Sequence, residues 1–256
     1  MESSQNQENQ GNEGGNKNVE LNWPPLESDP QIFNDYFHSL GLKKTAGFCE
    51  MISLTDYKDF LIIKGPLLGI IMNFSKGENK EEIDESKFVE ENSVPYYMKQ
   101  TEVLDNACGL IASLHAFGNS NLEYEKDSIL DKFFNGAKGL NAIQRAELLE
   151  KSEEFKKVHT NFSELGQTDV KKELENNNCG HYICFINLND KIYELDGCKK
   201  SPLILKEGVN SATFVGEVSK IILERINKKY IKDQVSVMLI YDEKSELTNL
   251  LEYLDE

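Results

Sequence analysis

The sequence predicts a single α+β domain in which helices lie beside a largely antiparallel sheet. Strand-like and helix-like segments are interspersed along the chain, and three short strands follow one another late in it, joined by turn signals. No internal repeat and no second core is visible. With 256 residues, 39% of them hydrophobic, the chain is long enough to build a core without covalent staples.

The first element with a clear start is in "SDPQIFNDYFHSLGL". Ser28 or Asp29 is placed to cap a helix that carries Ile32, Phe33, Tyr36, Phe37 and Leu40 on one face. "LLGIIMNF" (67–74) follows a Gly-Pro pair and is a buried strand, then a charged stretch runs from Lys76 to Asn92. A helix begins at Cys108 and is apolar almost all round, which predicts burial. Two more helices are expected near 124–135 and 139–157. The segment 159–180 is polar and weakly periodic, a connection of a length that usually serves function. "HYICFINL", "KIYELDG" and "SPLILKE" are strands with turns at Asn187–Asp190 and Gly197. A helix over about 211–228 places Phe214, Val218, Ile221, Ile222 and Ile226 together, and "VSVMLIYD" closes the sheet.

The ends differ in kind. Residues 1–18 lack aromatic and aliphatic residues apart from Met1 and are expected to be disordered; the domain proper is placed at 19–242, followed by an acidic tail, 243–256. In that tail, apolar residues at 247, 250, 251 and 254 suit a short amphipathic helix.

Lys plus Arg number 28 and Asp plus Glu 44, a net charge of −16. Such a surface repels phosphate backbones, so neither nucleic acid nor an anionic membrane is an expected partner; the charge either attracts a basic protein or peptide or serves solubility alone. Cys49, Cys108, Cys179, Cys184 and Cys198 form an odd, irregular set, and no apolar run could span a bilayer. Free thiols, a reducing compartment and a cytoplasmic or nuclear location are expected.

Cys108 stands at a helix start behind Asp105 and Asn106, either of which could cap it. Helix N–H groups and the helix dipole favour a thiolate there, although buried structural cysteines are the commoner case. Among the histidines, His115 lies seven residues further along the same helix, about 10 Å away, too far for proton transfer. His38 has no thiol or acidic motif beside it, and His159 opens the polar connection as a solvated residue. His181 starts a strand and shares a face with Ile183 and Phe185, opposite Tyr182, Cys184 and Ile186. Asp196 ends the next strand, so both sit at one edge of a hairpin. That pairing suits either a structural hydrogen bond or the orienting bond of a catalytic triad. Cys179, Cys184 and Cys198 lack the spacing of a zinc site, so no metal is expected, and no cofactor-binding loop is present.

Together these segments resemble the ubiquitin C-terminal hydrolase family of papain-like cysteine peptidases, over about residues 22–241. "NWPPLESDP" is similar to the family's opening Trp-x-Pro-Leu-Glu segment, and "YYMKQT" with "NACGLIASLHA" resembles its Lys-Gln-Thr and Asn-Ala-Cys-Gly motifs. "GHYICFI" and "KIYELDG" follow in order. The resemblance implies a papain-like fold with a crossover loop over the site, here about 159–178. It also implies a thiol hydrolase that cleaves amides, esters or thioesters at ubiquitin's C-terminal glycine without a cofactor. It assigns Cys108 as nucleophile, His181 as general base, Asp196 as its orienting partner, and Gln100 as an oxyanion donor with the Cys108 N–H. Trp23, Pro25, Leu26 and Glu27 would help to hold ubiquitin, whose tail is basic near its end. The implied unit is a monomer, and its partner is ubiquitin or a ubiquitin-like modifier.

This chain departs from the family pattern twice. Gln100 precedes Cys108 by eight residues rather than six, so "TEVLD" carries a two-residue insertion in the oxyanion segment, and "DGC" stands where Asp-Gly-Arg is usual. A protein that binds ubiquitin with weakened catalysis is the alternative these departures raise.

Overall fold

A computed structural model describes residues 22–56, 65–165 and 180–243. The expected tails and most of the expected crossover loop fall outside the described residues, as does Cys179.

Among the described residues the chain forms six strands and six α-helices. In chain order these are α1 (Pro30–Ser39), β1 (Ala46–Glu50), β2 (Leu67–Lys76), α2 (Cys108–Gly118), α3 (Ile129–Gly136), α4 (Ala142–Glu150), α5 (Glu153–Ser163), β3 (His181–Leu188), β4 (Lys191–Leu195), β5 (Leu203–Glu207), α6 (Ser211–Asn227) and β6 (Ile231–Asp242). The strands make one sheet in the order β1-β6-β2-β3-β4-β5, antiparallel at every pairing. The hairpin between β3 and β4 turns at Asn189 and Asp190, both at positive φ (53° and 57°), the conformation a two-residue turn requires.

Alternation along β3 divides the core. Tyr182, Cys184 and Ile186 face a cluster that includes α1 and α2, while Ile183 and Phe185 face Phe214, Val218 and Ile222 of α6. Helix α1 starts as expected: the Asp29 carboxylate accepts the N–H groups of Gln31 (2.7 Å) and Ile32 (3.4 Å), and Pro30 occupies the first turn. Its Phe33, Tyr36 and Phe37 are fully buried, each worth about 2 kcal/mol of apolar burial. Helix α2 is buried from Cys108 through Phe117, which explains why its sequence lacks a polar face.

Four expectations need correction. The helix expected at 139–157 is two helices, because the Ser152 hydroxyl accepts the Phe155 N–H (3.4 Å) and starts α5 anew. Helix α5 then runs through the first residues assigned to a polar connection. Strand β1 was not anticipated; it is defined by pairing with β6 rather than by its own pattern. Neither Asp105 nor Asn106 caps α2: Ala107 occupies the cap position without a side-chain bond, and the Asp105 carboxylate instead accepts the Asn106 N–H (2.8 Å).

Candidate active site

Helix α2 supplies Cys108 at its first residue, where backbone N–H groups have no intrahelical acceptor. Strand β3 supplies His181 at its first residue, and Asp196 follows the last residue of β4. Because β3 and β4 pair antiparallel, that start and that end meet at one sheet edge. The His181 Nε2 lies 2.9 Å from Asp196 Oδ1. The ring's other nitrogen is left for Cys108, whose thiol acts to raise the imidazole's pKa.

The electrostatics of this trio are asymmetric. Burial works against a charged His181, but the Asp196 and Cys108 side chains outweigh that, and its pKa is pushed up to about 10. Burial likewise penalises the Asp196 carboxylate, yet the His181 bond, the Cys198 N–H (2.9 Å) and Lys199 hold it below the usual carboxylate range. The Phe74 ring packs edge-on against His181, with centroids 5.9 Å apart. A cleft of about 470 Å³, lined by Asn73, Phe74, Ser75, Gly180, Gln234, Val235 and Ser236, opens alongside.

Gln100 comes to the same edge. Its N–H donates to the Gly197 carbonyl (3.0 Å), which ties the segment before α2 to the loop carrying Asp196. A Cβ on Gly197 would meet the Gln100 nitrogen at 2.9 Å, so glycine is required for that approach. Turns closed by Leu104 N–H to Thr101 O and Ala107 N–H to Leu104 O take up the inserted residues. The Gln100 carboxamide is held at both ends: Nε2 donates to Asp105 O (2.7 Å), and Oε1 accepts from the Cys198 thiol (3.6 Å).

Tyr97 was not singled out in the sequence. Its hydroxyl donates to the carbonyls of Asp196 and Lys199, 2.8 Å from each, and so pins the Asp196 loop from below. Buried Glu194 adds a second tie, pairing with both Lys199 and Arg225. The signal available was the position of Tyr97 just before Lys99-Gln100, with no hint of its partner.

The remaining histidines are structural. His115 is buried, stacks on Tyr97 with centroids 5.2 Å apart, and accepts the Met98 N–H (3.1 Å). His38 bonds the Ala46 carbonyl through Nε2 (2.9 Å). His159 corrects the expectation of a solvated residue: it is fully buried, bonded to the Tyr36 hydroxyl (3.0 Å) and to Pro24 O (2.7 Å). Trp23 packs on the His159 ring at 5.2 Å. Trp23 and Leu26, 1% and 4% exposed, are therefore core residues rather than an open contact surface, whereas Pro25 and Glu27 are half-buried. Cys49, Cys108, Cys184 and Cys198 are free thiols.

The profile of the family described as ubiquitin carboxyl-terminal hydrolase, family 1, matches residues 23–227. Ubiquitin carboxyl-terminal hydrolase 3 of Arabidopsis thaliana is 31% identical, over 80% of this chain and 88% of its own length. A ubiquitin carboxyl-terminal hydrolase of Drosophila melanogaster is 34% identical, over 80% of this chain and 90% of its own. Among solved structures, the Trichinella spiralis UCH37 catalytic domain bound to ubiquitin vinyl methyl ester superposes with a TM-score of 0.67 at 26% identity. That match covers 86% of this chain and 95% of the other.

Proposed function

Since the chain belongs to the ubiquitin carboxyl-terminal hydrolases of family 1 and is a cysteine peptidase of that kind, we propose that Cys108, His181 and Asp196 are its catalytic triad. The observation that carries this is the His181–Asp196 bond (2.9 Å) beside a thiol at a helix start.

In this reading, Asp196 holds the imidazole by Nε2–H, and Nδ1 takes the Cys108 proton and keeps it, as the raised His181 pKa favours. The Cys108 sulfur then attacks the carbonyl of ubiquitin's C-terminal glycine. As the tetrahedral intermediate collapses, His181 returns the proton to the leaving amine, alcohol or thiol. Water, deprotonated by the same imidazole, hydrolyses the thioester and frees the Cys108 sulfur. The developing oxyanion is met by the Cys108 N–H and by the Gln100 amide hydrogen that Asp105 O does not engage. Ubiquitin's extended tail lies in the cleft beside Phe74 and Gly180, and the net charge of −16 suits its basic residues. The acting unit is a monomer.

Turnover of ubiquitin C-terminal esters tests the proposal. Hydrolysis by the native protein and none by Cys108→Ala is the expected result. Binding without turnover would instead make the chain a ubiquitin binder, and competition with a ubiquitin-like modifier defines which tail it prefers.

A further inference from the structure

The triad has a neighbour that it does not use. Cys198 is exposed, and its Sγ, an Asp196 carboxylate oxygen and a His181 ring nitrogen all lie within 4.8 Å of one another. Sequence spacing gave no hint of this group, because His181 comes from one strand and the other two residues from the loop after the next.

We propose that His181, Asp196 and Cys198 form a site for a thiophilic divalent cation of the zinc class, and that its occupancy reversibly stops hydrolysis. Thiolate, imidazole and carboxylate are the donor set that zinc takes, with bonds of about 2.0–2.3 Å that set tetrahedral ligands about 3.5 Å apart. The pair His181 Nε2 and Asp196 Oδ1, at 2.9 Å, has to open by about half an ångström to meet that spacing. Cys198 closes the remaining gap by rotation of an exposed side chain, whose one side-chain hydrogen bond is the 3.6 Å contact to Gln100 Oε1. Its thiol proton passes to solvent as the thiolate binds, and water takes the fourth position. Asp196 is already immobilised, by the Cys198 N–H at its carboxylate and the Tyr97 hydroxyl at its carbonyl.

Inhibition follows from the two ring nitrogens. In the active arrangement Nε2–H donates to Asp196, and Nδ1 receives the Cys108 proton and passes it to the leaving group. A metal at Nε2 binds through that nitrogen's own lone pair and releases the Nε2 proton to solvent, so the ring's remaining proton is fixed on Nδ1, facing Cys108. His181 then has no site to accept the thiol proton. Chelation reverses the change.

The inference uses the triad reading for its effect on rate only, so binding is measured separately. The full chain, freed of metal, is titrated with zinc chloride during hydrolysis of a ubiquitin C-terminal fluorogenic amide, each variant being scaled to its own zinc-free rate. Inhibition that a chelator reverses, and that Cys198→Ser and Cys198→Ala each weaken by about 10-fold or more, is the expected result. The second readout is the near-ultraviolet thiolate-to-cobalt band on adding Co²⁺. It should persist in Cys108→Ser and vanish in Cys108→Ser/Cys198→Ser. Unaltered inhibition in both Cys198 variants, or a band that needs Cys108 rather than Cys198, would overturn the proposal. A cobalt band from Cys198 without loss of rate would keep the site but refute its inhibitory role.

Discussion

His181 Nε2 and Asp196 Oδ1 lie 2.9 Å apart although fifteen residues separate them, because an antiparallel hairpin returns the end of β4 to the start of β3. Asp196→Asn keeps the shape but offers the ring an ambiguous partner. The kcat should fall by on the order of 100-fold or more with KM little changed, measured by steady-state hydrolysis of a ubiquitin ester.

Tyr97 positions that carboxylate without touching the imidazole. Removing its hydroxyl in Tyr97→Phe takes one donor from the Asp196 and Lys199 carbonyls, which keep the Lys199 N–H and the Lys99 ammonium respectively, and should cost about 1 kcal/mol in urea unfolding. A larger loss in kcat than in stability-corrected KM would mark it as a positioning residue.

Gln100 is expected to act only as charge develops on the substrate oxygen. Gln100→Ala should lower kcat by on the order of 100-fold and leave ubiquitin affinity, read by calorimetry on the Cys108→Ala background, unchanged. An effect confined to affinity would remove it from the oxyanion role.

Histidine titration gives opposite pH trends. His115 and His159 are buried neutral, and burial lowers each pKa to about 4. The unfolded chain therefore takes up protons first, and stability should decline as pH falls from about 6.5 towards 4, by on the order of 3 kcal/mol per histidine. His181 is raised to about 10, so its contribution is complete below about 6.5 and disappears as pH rises through 10. Melting curves of the native protein and His159→Asn between pH 4 and 7 should show a shallower acid slope in the variant. His181→Asn should flatten the alkaline side.

The legible parts of this fold were the local ones. Asp29 at the α1 cap, the apolar α2, the alternating β3 and the turn at Asn189–Asp190 each follow from chemistry within a few residues. What escaped depends on contacts distant in sequence. The five residues of β1 become a strand only against β6. His159 stands among polar neighbours yet is buried by Trp23, Tyr36 and Pro24 from the other end of the domain. In the site, the His181–Asp196 pairing followed from hairpin geometry. The contact between Gln100 and Cys198 joins separate loops and could not be read from spacing.

The proposed role of Cys108 as nucleophile towards ubiquitin's C-terminus is tested by incubation with ubiquitin vinyl methyl ester, followed by intact-mass measurement. One ubiquitin should be added to the native protein and none to Cys108→Ala. An adduct that survives Cys108→Ala, or no adduct on the native protein, would contradict it.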